Sequence, residues 1–248
     1  MEYIYELTIP SFLCGPDDTV GLDGLAGIFQ EAAWQHARSY GVDFTSEESA
    51  VFWALHRLGV RAIRFPRWDE TVRVTTWPSR IEKLYAMREY QVHVGAELVA
   101  EASSAWLILS AGAGGATSRP VPPQRYLSQE WTSPGVPLEM PLGRLPALPD
   151  KTVSAALGDP QRRWNLVRPS DTDRNEHVNN TRYAQWLRDA APHLTAAGGR
   201  TLVLTFTAET RAGEQYTVVV GEADAEAQQA EVYVDPESPR CACRFTVL

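Results

Sequence analysis

Apolar residues recur at helical spacing in two widely separated stretches of the chain. Leu25, Ile28, Phe29, Ala32, Ala33 and His36 form one stripe, and Tyr183, Trp186, Leu187, Ala190 and Ala191 form the other. Each stripe predicts an amphipathic helix. After each, the pattern changes to short runs dominated by β-branched and aromatic residues. These runs cover 55–65, 70–77, 84–94 and 98–109 in the first half, and 201–209, 216–222, 229–234 and 241–248 in the second. Ahead of each helix a strand-like segment runs into Pro-Ser: 3–9 into Pro10-Ser11, and 163–168 into Pro169-Ser170. The chain therefore reads as two copies of one unit. Aligning Phe29 with Tyr183 leaves the first pre-helix loop about five residues longer than the second.

One long helix on an antiparallel sheet, twice over, is an α+β double hotdog. Gly112-Ala-Gly-Gly-Ala116 is expected to end the first sheet. Pro120, Pro122, Pro123, Pro134, Pro137 and Pro141 then keep a connector of about forty residues out of any sheet interior. The expected division is a first hotdog over 1–118, a connector over 119–160 wrapped on the surface, and a second hotdog over 161–248.

Composition narrows the setting. The 248 residues are 44% hydrophobic and 22% charged, ordinary for a globular protein able to bury a sizeable core. No apolar run approaches the ~18 residues of a membrane-spanning helix, and Met-Glu-Tyr-Ile-Tyr-Glu-Leu at the start is not a secretory signal. Cys14, Cys241 and Cys243 form no disulfide framework. Cys241 and Cys243 flank Ala242 in an expected strand and so share a face, without the further ligands of a metal site. The expectations are a cytoplasmic chain, monomeric or homodimeric, without metal or cofactor. A net charge of −8 argues against nucleic acid and anionic membrane as partners.

The chemistry concentrates in Asp171-Thr-Asp173-Arg-Asn175-Glu-His177-Val-Asn179-Asn180-Thr-Arg-Tyr183. Asp173, Asn175 and His177 occupy alternate positions, which share one face if the segment is extended. Asn179 or Asn180 can cap the second helix. Carboxylate, amide and imidazole would then stand at a helix N-terminus, where free N–H groups and the macrodipole favour a developing oxyanion.

This run resembles the signature Asp-x-Asn-x-His-Val-Asn-Asn-x-x-Tyr of the acyl-acyl-carrier-protein thioesterases, with every specified position present. Phe52-Trp-Ala-Leu-His-Arg-Leu, Arg64-Phe-Pro-Arg-Trp68-Asp-Glu-Thr-Val, Thr76-Trp77-Pro78-Ser and Leu84-Tyr-Ala-Met-Arg88-Glu-Tyr are similar to that family's N-terminal half, in the expected order. The chain is similar to the bacterial members in being compact and lacking a transit peptide.

The resemblance implies an enzyme that hydrolyses the thioester of an acyl carrier protein, with Asp173, Asn175, His177 and Glu209 as its site, an acyl-chain slot in the first hotdog and the catalysis in the second. Glu209 matches the family's general base in Leu204-Thr-Phe-Thr-Ala-Glu209-Thr210, where the family has Glu-Cys. Thr210 stands in place of that cysteine, and a hydroxyl does not ionise as a thiol does. The reading this leaves has Glu209 activate water or attack directly, with Asp173 holding the His177 tautomer and Asn175 meeting the oxyanion.

Other features stay second to this cluster. There is no Gly-x-Ser-x-Gly elbow, phosphate-cradling Gly loop or His-Glu-x-x-His motif. His36 reads as a core histidine, while His56 and His93 sit in strand patterns without partners in view. Trp53, Trp68, Trp77 and Trp106 read as core, some of them lining the slot. Arg57, Arg61, Arg64 and Arg67, with Arg162, Arg163 and Arg168, form either solvated faces or a docking patch for phosphopantetheine or an acidic carrier. An acyl-CoA thioesterase and a non-catalytic acyl-thioester-binding hotdog are the alternatives.

Overall fold

Strands from both halves join in one antiparallel sheet in the computed structural model, which describes residues 2–44, 49–110, 118–128, 131, 136–143, 146–221 and 228–248. The first half supplies β1 (Tyr3–Thr8), β2 (Val51–Ala62), β3 (Thr71–Glu82), β4 (Tyr85–Val94), β5 (Glu97–Ser110) and the short β6 (Arg119–Val121). The second supplies β7 (Asn165–Leu166), β8 (Thr201–Phe206), β9 (Gln215–Val220), β10 (Gln228–Val234) and β11 (Arg240–Val247). The spatial order is β1-β3-β4-β5-β2-β8-β11-β10-β9-β7, so the second half repeats the first about a twofold at the β2–β8 seam. This is the expected double hotdog. The glycine run at 112–116 and the strand end at Glu222 lie outside the described residues.

Helix α1 (Leu22–Ser39) lies on the first half and α3 (Asn180–Ala190) on the second. All six residues of the first predicted stripe are buried. In α3, Tyr183, Ala184, Trp186 and Leu187 are buried, and Ala191 at its C-cap joins the core, whereas Ala190 is exposed. Both helices feed one continuous apolar core that also takes Leu58 and Val60 of β2, Leu202 and Leu204 of β8, and Phe245 of β11. At the seam Leu58 pairs with Leu204. The halves therefore share a core.

The structure corrects the repeat alignment. Cys14 bridges Val20 ahead of α1, as Thr172 bridges Val178 ahead of α3. Gly15 N donates to Thr19 O at 2.9 Å, as Asp173 N donates to His177 O at 2.8 Å. Asp18 and Glu176 both take positive φ, 59° and 61°. The two pre-helix loops are thus equal in length, and Leu25, not Phe29, is the counterpart of Tyr183. Apolar stripes alone permit a slip of one helical turn; hydrogen bonds do not.

The described parts of the connector touch both sides of the sheet: Leu127 and Trp131 pack by the C-terminal end of α1, and Leu142 lies on the face opposite the helices. β6 pairs with the end of β5, where β4 no longer reaches, and Pro120 sits in that strand with a neighbour on one side only. Leu142 packs with Met87, Ala105 and Val203, and its carbonyl accepts a 2.7 Å hydrogen bond from Arg57 Nη1. Gly59 lets it lie flat on β2, since a Cβ there would come within 2.8 Å of the Leu142 side chain. Farther on, the connector forms a helix that the strand-and-turn reading lacks, α2 (Asp150–Leu157), and Leu148 N donates to buried Glu231 at 3.1 Å.

Candidate active site

The segment carrying Asp173, Asn175 and His177 is not extended. It folds back as a tight hairpin closed by the Thr172–Val178 bridge, with Glu176 N donating to Asp173 O at 3.0 Å. The Asp173 side chain accepts the Asn175 backbone N–H at 2.8 Å. A short acidic side chain that bonds the backbone two residues on makes an Asx turn, and this outcompetes the extended form. The three side chains therefore do not share a strand face. Asn175 stands exposed at the tip, while His177 returns at the base beside the helix. Asp173 makes no hydrogen bond to the imidazole; its carboxylate holds the turn.

From the hairpin the chain enters α3 through Asn179, whose side chain accepts from Thr181 N at 3.0 Å and from Thr181 Oγ1 at 2.9 Å. Between the two, Val178 N donates to Thr210 O at 2.8 Å. That bond fastens the hairpin to the segment following β8. Glu209 lies in this segment and not in a strand, because β8 ends at Phe206 and both Thr207 N and Ala208 N turn to Ala242 O. The Glu209 backbone is held from the other side by Arg240, which donates to its carbonyl at 2.7 Å and pairs with Glu214 at 2.6 Å.

These constraints bring His177 Nε2 within 3.2 Å of Glu209 Oε2, with the Glu209 side chain 52% exposed. The atoms touch without hydrogen-bond alignment, so the buried Nε2 has no properly aimed partner among the described residues. A solvent-facing carboxylate beside an imidazole edge is a pair able to take and return a proton. The Asn175 carboxamide makes no hydrogen bond among the described residues and is free to donate.

The first half keeps the scaffold and lacks the groups. By the corrected alignment Gly15, Asp17 and Thr19 replace Asp173, Asn175 and His177, whereas aligning Phe29 with Tyr183 would set Thr19, Gly21 and Asp23 there. Val20 N donates to Pro66 O at 2.8 Å just as Val178 N does to Thr210 O, which makes Phe65 the counterpart of Glu209.

Comparison with known proteins shows the family of both halves. The family model for the acyl-ACP thioesterase N-terminal domain matches residues 2–113, and that for the C-terminal domain matches residues 157–238. The chain belongs to the acyl-ACP thioesterase family. It is 26% identical over 195 residues to the chloroplastic acyl-[acyl-carrier-protein] hydrolase FATB2 of Cuphea viscosissima, covering 75% of this chain and 46% of that protein. The chain thus spans about half the length of the curated relatives it matches. The crystal structure of an acyl-ACP thioesterase from Bacteroides thetaiotaomicron shares the fold, with a TM-score of 0.81 at 18% identity over 100% of this chain and 97% of that one. The 12:0-ACP thioesterase of Umbellularia californica gives 0.75 at 18% identity, covering 99% and 96%.

Within this acyl-ACP thioesterase family member, Thr210 is fully buried and its hydroxyl accepts from Tyr183 Oη at 2.8 Å. Burial holds the Tyr183 phenol well above its ordinary range, so it stays a neutral donor. We expect Thr210→Ala to leave kcat within about threefold but to cost about 1–3 kcal/mol of stability through the orphaned phenol. Parallel turnover and urea unfolding measurements would check both. Trapping an acyl group on Thr210 would contradict this assignment.

The remaining expected residues divide. His36 is a core histidine: its Nδ1 accepts from Arg88 Nη1 at 2.9 Å, and burial, helped by Arg88, pushes its pKa down to about 3. His56 has a partner after all, donating from Nδ1 to Phe206 O at 3.0 Å. Trp68 is 57% exposed and not core. A register shift in β10 opposite Cys241–Cys243 breaks the expected alternation, so Ala242 and Cys243 both enter the core. Arg61 pairs with Glu101, Arg64 with Glu70 and Glu97, and Arg162 with Thr217, so they offer no free patch. Arg163 and Arg168 are exposed.

Two hollows accompany the site. A small void of about 10 Å³ lies between α1 and the first-half sheet, lined by Phe29, Gln30, Leu55, Tyr90, Ser104 and Trp106. A larger cleft of about 540 Å³ opens between α1 and α3, near Phe12, Gly24 and Arg188. The cleft is mostly polar and does not reach the His177–Glu209 pair. The void lies in the apolar interior.

Proposed function

We propose that this protein hydrolyses the thioester of an acyl-acyl-carrier protein, releasing free fatty acid and holo-carrier protein in the cytoplasm. The observation that carries the reading is the contact between His177 and Glu209 at the start of α3, in a family member that retains Asp173 and Asn175 in the hairpin leading to it. Glu209 removes a proton from water as its oxygen attacks the thioester carbonyl carbon. Charge moves to the carbonyl oxygen, where the Asn175 carboxamide and N–H groups at the helix start oppose it. The intermediate collapses by breaking the C–S bond, and the departing sulfur takes the proton back through the His177–Glu209 pair. Asp173 acts as a positioning residue through the hairpin. In this reading 1–118 walls the acyl slot, 119–160 is the connector and 161–248 supplies the proton-transfer chemistry. Three free thiols suit a reducing compartment; no helix among the described residues is long and apolar enough to cross a membrane.

An acidic carrier is favoured over CoA by exposed Arg163 and Arg168, which lie just ahead of the hairpin. Turnover of acyl carrier protein and CoA thioesters of equal chain length tests this, and faster turnover per KM on CoA would reverse the choice. Added salt should raise KM for the carrier substrate, because exposed charges are screened as the Debye length falls to ~8 Å. Arg163→Glu with Arg168→Glu should raise that KM about fivefold or more while sparing kcat, the signature of lost rim charges. A carrier KM indifferent to both would return these arginines to an ordinary solvated surface.

A further inference from the structure

Helices α1 and α3 run antiparallel across the pseudo-twofold. Arg188 of α3 meets Asp23 near the start of α1 at 2.7 Å, and Gly27 faces the Thr181 side chain near the start of α3, at 3.6 Å from where a Cβ would be. Rising numbers in α1 therefore meet falling numbers in α3. One turn beyond Gly27, Gln30 comes level with the α3 N-cap, Asn179.

The repeat reaches the same place independently. Gln30 and Arg188 stand equally far along their helices from the N-caps Gly21 and Asn179. Arg188 shows what that position reaches, since a Cβ on Gly21 would fall 1.8 Å from its Nη1. In the first half this arm closes over the N-terminus of α1. In the second half its counterpart is the shorter, uncharged Gln30, which leaves room at the N-terminus of α3 beside His177. Gln30 also lines the internal void with Leu55 and Trp106, and its carboxamide makes no hydrogen bond among the described residues.

We propose that Gln30, supplied by the first-half helix, donates a hydrogen bond from its carboxamide N–H to the thioester carbonyl oxygen of the substrate. This rests on the hydrolase reading above. The carbonyl must sit where the acyl chain leaves the interior and meets His177 and Glu209; Gln30 lines the void and, by the repeat, stands level with the α3 N-terminus. Each half then contributes to one reaction centre: the second half gives the proton-transfer pair, and the first gives a donor for the carbonyl.

The test compares Gln30→Glu and Gln30→Leu with the parent enzyme on one acyl-carrier substrate, following kcat, KM and melting temperature. Both substitutions keep approximate size but remove the N–H donor, so each should lower kcat by about 10², as for a lost oxyanion donor. KM should change less than threefold and melting temperature little. Gln30→Glu retains the acceptor oxygen, so a kcat near the parent's for that variant would exclude a donor role and overturn the proposal. Either variant within threefold of the parent would do the same. If His177→Ala and Glu209→Gln abolish turnover while the Gln30 variants stay active, this inference alone fails. If the His177 and Glu209 variants remain active, the hydrolase site itself is misassigned, and an inactive parent enzyme overturns both.

Discussion

Replacing Glu209 by glutamine is expected to lower kcat by a factor of ~10² or more, the loss typical of a removed general base. His177→Ala should cost a similar factor. The fold does not depend on the carboxylate, because its side chain is half exposed and the backbone around it is held by Arg240 and by hydrogen bonds to Ala242. An exposed ion pair contributes at most ~1 kcal/mol, so the melting temperature should stay within a few degrees. Because the two groups act on one proton, their losses should not add. The double variant should be about as slow as the slower single variant, and two independent, multiplying losses would show that the 3.2 Å contact is not a working pair. A Glu209→Gln enzyme within a few-fold of wild type would remove the carboxylate from the mechanism.

The largest expected stability effect lies away from this chemistry, at the seam between the halves. Leu204 is fully buried, pairs with Leu58 of β2 on one side and with Phe245 of β11 on the other, and belongs to the core that both helices share. Leu204→Ala leaves a cavity bounded by strands from both halves that cannot collapse onto it, so a loss of ~3–4 kcal/mol is expected. For a chain of this size that corresponds to a fall in Tm of roughly 10 °C. Unfolding should remain one cooperative transition, since the cavity belongs to neither half alone. Two separated transitions, or a loss below ~1 kcal/mol, would show that the halves are independently stable bodies. At low temperature kcat should be close to wild type.

Much of this architecture is legible from local pattern. The apolar stripe on α1, the strand runs after each helix and the doubling of the unit follow from side-chain periodicity, and periodicity survives folding wherever one face is buried. A cap at Asn179 or Asn180 was readable because a helix start needs an acceptor there, and the fold selected Asn179. Legibility failed where two backbone conformations compete over a few residues. Alternation across Asp173, Asn175 and His177 suits a strand, but the Asp173 carboxylate bonds its own chain and makes a hairpin. The same limit moved Glu209 out of its strand, broke the Cys241–Cys243 alternation at a bulge and let the two repeats slip by a helical turn.

The sequence by itself determined the family, the double hotdog and the group of polar residues from which the proposed reaction centre is drawn, since these reside in residue types and short spacings. Tertiary structure alone decided how that group divides. It gave Asp173 to the turn, left Asn175 exposed at the tip and brought His177 to Glu209 across more than thirty residues of intervening chain. It also placed Gln30 of the first half level with the N-terminus of α3. Those outcomes depend on the bond from Val178 to Thr210 and on antiparallel packing of α1 against α3. Long-range contacts of this kind leave no periodic trace in the chain, because they are set by which surfaces remain to be buried once each half has formed.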